Sequence, residues 1–266
     1  MSRNTPGPST LRVNVWSGPR NISTALMYAF AQRADTRVVD EPLYAHYLRI
    51  TGAEHPGRDE VLAAMENDGE RVVRDVILGA CDRPVLFLKQ MAHHLLELDH
   101  AFLERTVNVL LVRDPREVLL SLRHQIPEPT LRDTAFAAQT ELLDELLELG
   151  QDPAVLDARL LLLDPAGVLA ELCGRLGIEF EPSMLSWPAG ARPEDGAWAP
   201  HWYRNVHRST GFRPYRPNDT PLPDELRPLF EECRPHYARL FERALGPKSA
   251  GTDDSADGGT ESTGTA

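Results

Sequence analysis

Two strand-to-helix junctions in this 266-residue chain carry residues suited to gripping an anion. The first, VWSGPRNISTALMYAF at 15–30, runs from an apolar strand through Gly18 and Pro19 to Arg20, Asn21, Ser23 and Thr24, where a helical pattern begins. A helix start offers unpaired N–H groups and a partial positive charge that favours an anion by about 0.3–1 kcal/mol. Arg20 adds a full charge and a planar fork matched to two oxygens of a phosphate or sulfate. Ser23 and Thr24 add hydroxyl donors. The second junction, LLVRDPREVLLSLRH at 110–124, repeats the order strand, polar turn, helix, with Arg113 ending the strand and Ser121 eight residues on. Taken alone, the first junction reads equally well as a capped helix with a surface arginine.

The pattern differs from two common nucleotide loops. GxxxxGK[ST] is missing, as is a strand-ending acidic residue placed to hold Mg²⁺, and GxGxxG is missing too. The expectation is a site for an anionic nucleotide, with no metal.

These junctions need a sheet to present them. Short apolar runs at 11–16, 36–41, 84–89, 106–113 and 158–164 read as strands. Helical patterns fall at 23–33, 58–66, 69–80, 116–125, 130–149 and 165–177. Near-continuous apolar strands separated by helices predict an α/β fold: one domain with a central parallel β-sheet flanked by helices. The Pro-, Gly- and Trp-rich stretch 178–222 reads as a loop packed over something. Beyond it Leu226, Leu229, Phe230, Cys233, Tyr237, Leu240 and Phe241 keep helical spacing, with Pro235 expected to split that segment in two. Residues 1–10 and the acidic 247–266 are too poor in apolar side chains to order themselves, which leaves 11–246 as the domain.

A net charge of −12 argues against nucleic acid or an anionic membrane as partner. Cys81, Cys173 and Cys233 are odd in number and far apart, so neither a disulfide framework nor a CxxC metal knuckle is expected, and a reducing cytoplasm fits. No apolar run approaches the roughly 18 residues of a membrane span.

The two junctions together resemble the sulfotransferase superfamily, whose members use 3′-phosphoadenosine 5′-phosphosulfate on a P-loop-like fold. The resemblance implies that Gly18, Arg20, Asn21, Ser23 and Thr24 surround the 5′-phosphosulfate, and that Arg113 and Ser121 hold the 3′-phosphate. It is nearest to the tyrosylprotein-type and related bacterial enzymes, which start this loop with Arg and place a catalytic Glu at the end of the next strand. Glu41, 21 residues after Arg20 in VVDEPLYAHYL, takes that place. Lys89 in FLKQMAHH matches a lysine contacting the reacting sulfate, and Ser209 in VHRSTGF a serine that helps hold the donor. His93 and His94 compete with Glu41 for the part of general base.

Each residue also has a plainer reading. Glu41 could pair with Arg20, Lys89 could be a solvated strand end, and Ser209 a turn hydroxyl. His93 and His94 could open an ordinary helix, and Tyr44, His46 and Tyr47 could line an acceptor site or be core. Two departures stand out. Ile22 occupies a place where the family often has Gly, and a β-branched residue resists φ > 0. Ala25 stands where cytosolic members pack a Trp on adenine, leaving Trp198, Trp202 and Phe212 as candidates. The implied reaction is sulfuryl transfer to a hydroxyl or amine of a small molecule. The alternatives are a kinase-like phosphotransferase and a nucleotide-binding relative without catalysis.

Overall fold

The computed structural model describes residues 10–247. The disorder expected of the two ends lies outside the described residues, apart from residues 10 and 247.

Five parallel strands form one sheet: β1 (Leu11–Ser17), β2 (Thr36–Asp40), β3 (Val85–Met91), β4 (Val107–Val112) and β5 (Ala154–Asp157), in the order β2-β3-β1-β4-β5. The helices are α1 (Ser23–Phe30), α2 (Tyr44–Thr51), α3 (Arg58–Ala64), α4 (Gly69–Val72), α5 (Pro115–Leu122), α6 (Leu131–Thr134), α7 (Phe136–Glu148), α8 (Ala158–Leu163), α9 (Pro165–Leu176), α10 (Ala199–Trp202) and α11 (Arg227–Phe241). Val13, Val15, Phe87, Val109, Leu111 and Leu156 face α1 and α9, while Trp16, Leu86, Leu88, Leu110 and Val155 face α7 and α11. Central β1 pairs with β3 on one side and β4 on the other, so the chain reverses its direction of winding there. That leaves a crevice at the C-terminal ends of the strands, the usual place for a ligand in an open parallel sheet.

Polar side chains also cross the sheet. Trp16 Nε1 donates to Asn108 Oδ1 at 2.9 Å, Asn14 Nδ2 to Thr106 Oγ1 at 3.0 Å, and Asn108 Nδ2 to the Leu103 carbonyl at 3.1 Å. Sliding β1 against β4 would break the Trp16–Asn108 and Asn14–Thr106 bonds between buried groups, so the network favours one register.

Four expectations are corrected. Residues 158–164 form helix α8 rather than a strand, and the strand is the preceding Ala154–Asp157. Asp157 caps the helix by accepting from Leu160 N at 3.0 Å, and the leucines that follow lack the β-branching that favours strands. Pro235 lies inside a continuous α11. It sits on the exposed face, as does Glu231, so water can reach the carbonyl freed by the missing N–H. The long helix expected over 130–149 is broken by Ala135 at φ 63° into α6 and α7. The break puts the Thr134 carbonyl 2.6 Å from where a Cβ on Gly18 would lie, so the first junction needs glycine for close approach. The pattern at 69–80 is shorter than expected, with α4 running into a π-helical turn, Val73–Ile77.

Candidate active site

A cavity of about 410 Å³ opens at the C-terminal ends of β1, β2, β3 and β4, and residues 198–213 close its far side. Its wall includes Gly18 through Ala25, Glu41, Lys89, His93, His94, Arg113 and Ser209.

At the first junction Ile22 caps α1 with φ −94°, and no side chain fills the hydrogen-bonding place of the first turn. Positive φ falls instead on Arg20, at 57°. Ile22 therefore needs no left-handed backbone, which removes the difficulty its branching posed. Asn21 Nδ2 donates to the Leu111 carbonyl at 2.8 Å and ties the loop to β4. Arg20 Nε donates to Ser121 Oγ at 2.9 Å, while Arg113 Nη1 donates to the Arg20 carbonyl at 2.7 Å and Arg113 Nε to Glu117 Oε2 at 2.8 Å. The two junctions are thus one unit. Burial, and after it the neighbouring Arg113 charge, lower the pKa of Arg20. Ser121 reaches the cavity through Arg20 rather than lining it.

A second cluster is buried at the ends of β2 and β3, where the parallel register pairs Asp40 with Lys89. Lys89 Nζ donates to Asp40 Oδ1 at 2.8 Å, Glu41 Oε1 at 2.5 Å and the Tyr203 hydroxyl at 2.7 Å. All three ammonium hydrogens are engaged. Burial opposes the charge on Lys89, but the carboxylates of Asp40 and Glu41 outweigh it and hold the pKa well above that of an ordinary lysine. Burial raises the pKa of Glu41, and Lys89 only partly offsets this. Tyr203 in turn donates to Asp40 Oδ2 at 2.7 Å and accepts from Trp198 Nε1 at 3.1 Å. Glu41 also has positive φ, 39°, so both it and Arg20 sit on strained backbone, as residues of active sites often do.

His93 and His94 are uncharged at neutral pH. Burial takes His93 down to about 3 and His94 well below the usual imidazole value. His94 lies between the rings of Tyr44 and Tyr47, with centroids 5.2 and 4.5 Å away.

The family described as "Sulfotransferase domain" matches residues 11–244. The chain belongs to that family. Curated relatives of this sulfotransferase-family chain are the branched-chain-amino-acid aminotransferase-like proteins 1 and 2 of Arabidopsis thaliana, 42% and 40% identical over 226 residues. The match covers 85% of this chain and 40% of each relative, so the chain spans about two fifths of their length. Among solved structures, the sulfotransferase domain from the curacin biosynthetic pathway is similar with a TM-score of 0.50 at 16% identity. That likeness, over 90% of this chain and 99% of the other, is one of fold.

The sulfotransferase fold thus gathers nearly all the residues singled out from the sequence around one cavity, with some altered surroundings. Glu41 pairs with Lys89 rather than Arg20, and Lys89 is buried rather than solvated. The Ser209 hydroxyl is engaged within the protein, donating to the Val206 carbonyl at 2.6 Å and accepting from Trp187 Nε1 at 3.1 Å. His93 and His94 lie on a short 3-10 turn. Tyr44 and Tyr47 line the cavity, whereas His46 does not and instead bonds the Leu96 carbonyl at 2.7 Å. Trp198, Trp202 and Phe212 all line it. Sequence reasoning missed Asp40 and Tyr203. Asp40 was legible as the neighbour of Glu41, but no spacing connects Tyr203 to a residue 114 positions away.

Proposed function

We propose that the chain transfers a sulfuryl group from 3′-phosphoadenosine 5′-phosphosulfate to a hydroxyl or amine of a small acceptor. One observation carries this reading. A single cavity joins an arginine pair at an uncapped helix start to a buried carboxylate beside a charged lysine. Its volume, about 410 Å³, suits a nucleotide-sized ligand.

Under this reading Arg20, Ser23, Thr24 and the first N–H groups of α1 hold the 5′-phosphosulfate, and Arg113 the 3′-phosphate. The acceptor oxygen forms a bond to sulfur as the sulfur–oxygen bond to the 5′-phosphate breaks, and that phosphate leaves with the electron pair. Arg20 and the helix start stabilise the charge growing on it through preorganised electrostatics. Glu41 takes the acceptor's proton, and its raised pKa brings it nearer the range in which a general base works well. Lys89 must exchange one of its three internal bonds to meet the sulfuryl group.

The aminotransferase chemistry in the relatives' names does not fit the lysine of the described residues. That chemistry uses an uncharged lysine amine to form an imine, whereas Lys89, the one lysine among the described residues, is held charged by two carboxylates.

Calorimetric titration with adenosine 3′,5′-bisphosphate, beside ATP-Mg²⁺, tests the reading. Micromolar binding of the bisphosphate that needs its 3′-phosphate is expected. Arg113→Ala should weaken it by about 1.5–3 kcal/mol, the value of a hydrogen bond to a charged group. A clear signal for ATP-Mg²⁺ with none for the bisphosphate would instead indicate a phosphotransferase. Glu41→Gln should keep binding and lower turnover by about 10²–10⁴. Unchanged turnover would remove Glu41 from the chemistry.

A further inference from the structure

The segment that leaves the cavity wall has no regular structure of its own. Gly211, Phe212 and Arg213 line the cavity, and residues 212–223 form neither helix nor strand. Pro214, Pro217, Pro221 and Pro223 remove backbone donors from it, so side chains from elsewhere must hold it. Helix α5 does so with two residues of its first turn. Arg116 donates to the carbonyls of Asn218 and Thr220, and Glu117 Oε1 accepts from the Tyr215 hydroxyl at 2.9 Å. Tyr215 is half-buried, while Arg213, Pro214, Arg216 and Pro217 around it are exposed. Burial, and after it Glu117, push the Tyr215 hydroxyl up to about 12, so it keeps the proton it donates.

Glu117 is bonded on its other side as well. Its Oε2 accepts from Arg113 Nε at 2.8 Å, and its side chain is nine-tenths buried. An acidic residue in a first helical turn is favoured by the helix dipole alone. The dipole accounts for neither the arginine four positions earlier nor the tyrosine 98 positions later. Arg113 Nη1 donates to the Arg20 carbonyl at 2.7 Å, so two parts of the guanidinium are fixed, and Nη2 has no partner among the described residues. A guanidinium already held in this way loses little rotamer freedom when it grips an anion, which favours binding. The carboxylate beside it repels an anion, which opposes binding. The two effects differ in sign, so a measurement separates them.

We propose that Glu117 and Tyr215 are positioning residues for nucleotide recognition: Tyr215 holds the Glu117 carboxylate, Glu117 holds the Arg113 guanidinium, and this chain of bonds fixes Arg113 for the 3′-phosphate of the donor. The inference rests on the donor assignment made above. Neither Glu117 nor Tyr215 belongs to the cavity wall, so both act through Arg113.

The test titrates adenosine 3′,5′-bisphosphate and adenosine 5′-phosphate into the full chain and reads the ratio of their affinities. A ratio on one protein is not moved by a general loss of folding. Tyr215→Phe changes no charge and should lower the preference for the bisphosphate by about threefold to tenfold, the range of one hydrogen bond. Glu117→Gln should lower it too, although a negative charge is removed. In an Arg113→Ala background neither change should move the ratio further, because contacts that act through one residue are not additive. A preference that survives both single changes, that rises in Glu117→Gln, or that still falls when Arg113 is absent would overturn the positioning role and leave the donor assignment standing. Wild-type protein that binds the two nucleotides equally would overturn the donor assignment, and the positioning role with it.

Discussion

Replacing Lys89 with Met tests whether the buried cluster is held as charged groups. The substitution keeps an unbranched chain and removes the ammonium that joins Asp40 Oδ1 at 2.8 Å and Glu41 Oε1 at 2.5 Å. Lys89 and both carboxylates are at least nine-tenths buried. Losing one partner of such a cluster leaves uncompensated buried charge, a loss of about 3–5 kcal/mol. The sign of the pH dependence follows from Glu41. Burial already raises its folded pKa, and without Lys89 it rises further. A carboxyl whose folded pKa exceeds its unfolded value of about 4.3 contributes stability below that value and loses it as pH rises through the folded pKa. The penalty of Lys89→Met should therefore be full at neutral pH and shrink in mild acid, by up to about 1.4 kcal/mol per pH unit for each such carboxyl. Urea unfolding of wild type and variant at the two pH values reads it directly. Adding Asp40→Asn should restore part of the loss, because one of the two unpaired carboxylates is gone. A penalty below about 1 kcal/mol, or one that ignores pH, would refute the reasoning and describe a screened surface pair.

Three further outcomes are expected. Gly18→Ala places a Cβ 2.6 Å from the Thr134 carbonyl, so thermal unfolding should show a loss of about 1–3 kcal/mol; an unchanged midpoint would show that α6 can shift. Asn108→Ala leaves the buried Trp16 Nε1 without its acceptor and should lose about 1–3 kcal/mol by denaturant titration. Pro235→Ala, on the exposed face of α11, restores a helical N–H and should stabilise by up to about 3 kcal/mol, with a raised melting temperature as the readout.

What could be read along the chain was whatever neighbouring residues carry together. Apolar runs followed by polar turns and helix starts located β1, β2, β3 and β4 to within a residue or two, and so located both anion-gripping junctions. The misread elements are those where a local pattern met a competing requirement. At 158–164 a run of leucines satisfied either period, and the cap from Asp157 decided for helix. At 130–149 an amphipathic pattern ran on unbroken through Ala135, while the approach of the Thr134 carbonyl to Gly18 accompanies a break there. Ile22 looked unsuited to its turn because the sequence does not say which residue takes positive φ; the folded loop gives that part to Arg20.

The sequence by itself determined the α/β class, the two junctions and the residue types at the strand ends, because each depends on contacts between residues a few positions apart. Tertiary structure decided which groups face one another. The β2–β3 register set Asp40 beside Lys89, and the distant segment around α10 brought Tyr203 and Trp198 onto the same cluster. Protonation was decided there too. Burial raised the pKa of Glu41 and kept His93 and His94 neutral, and burial is a property of the packed chain that no residue carries alone.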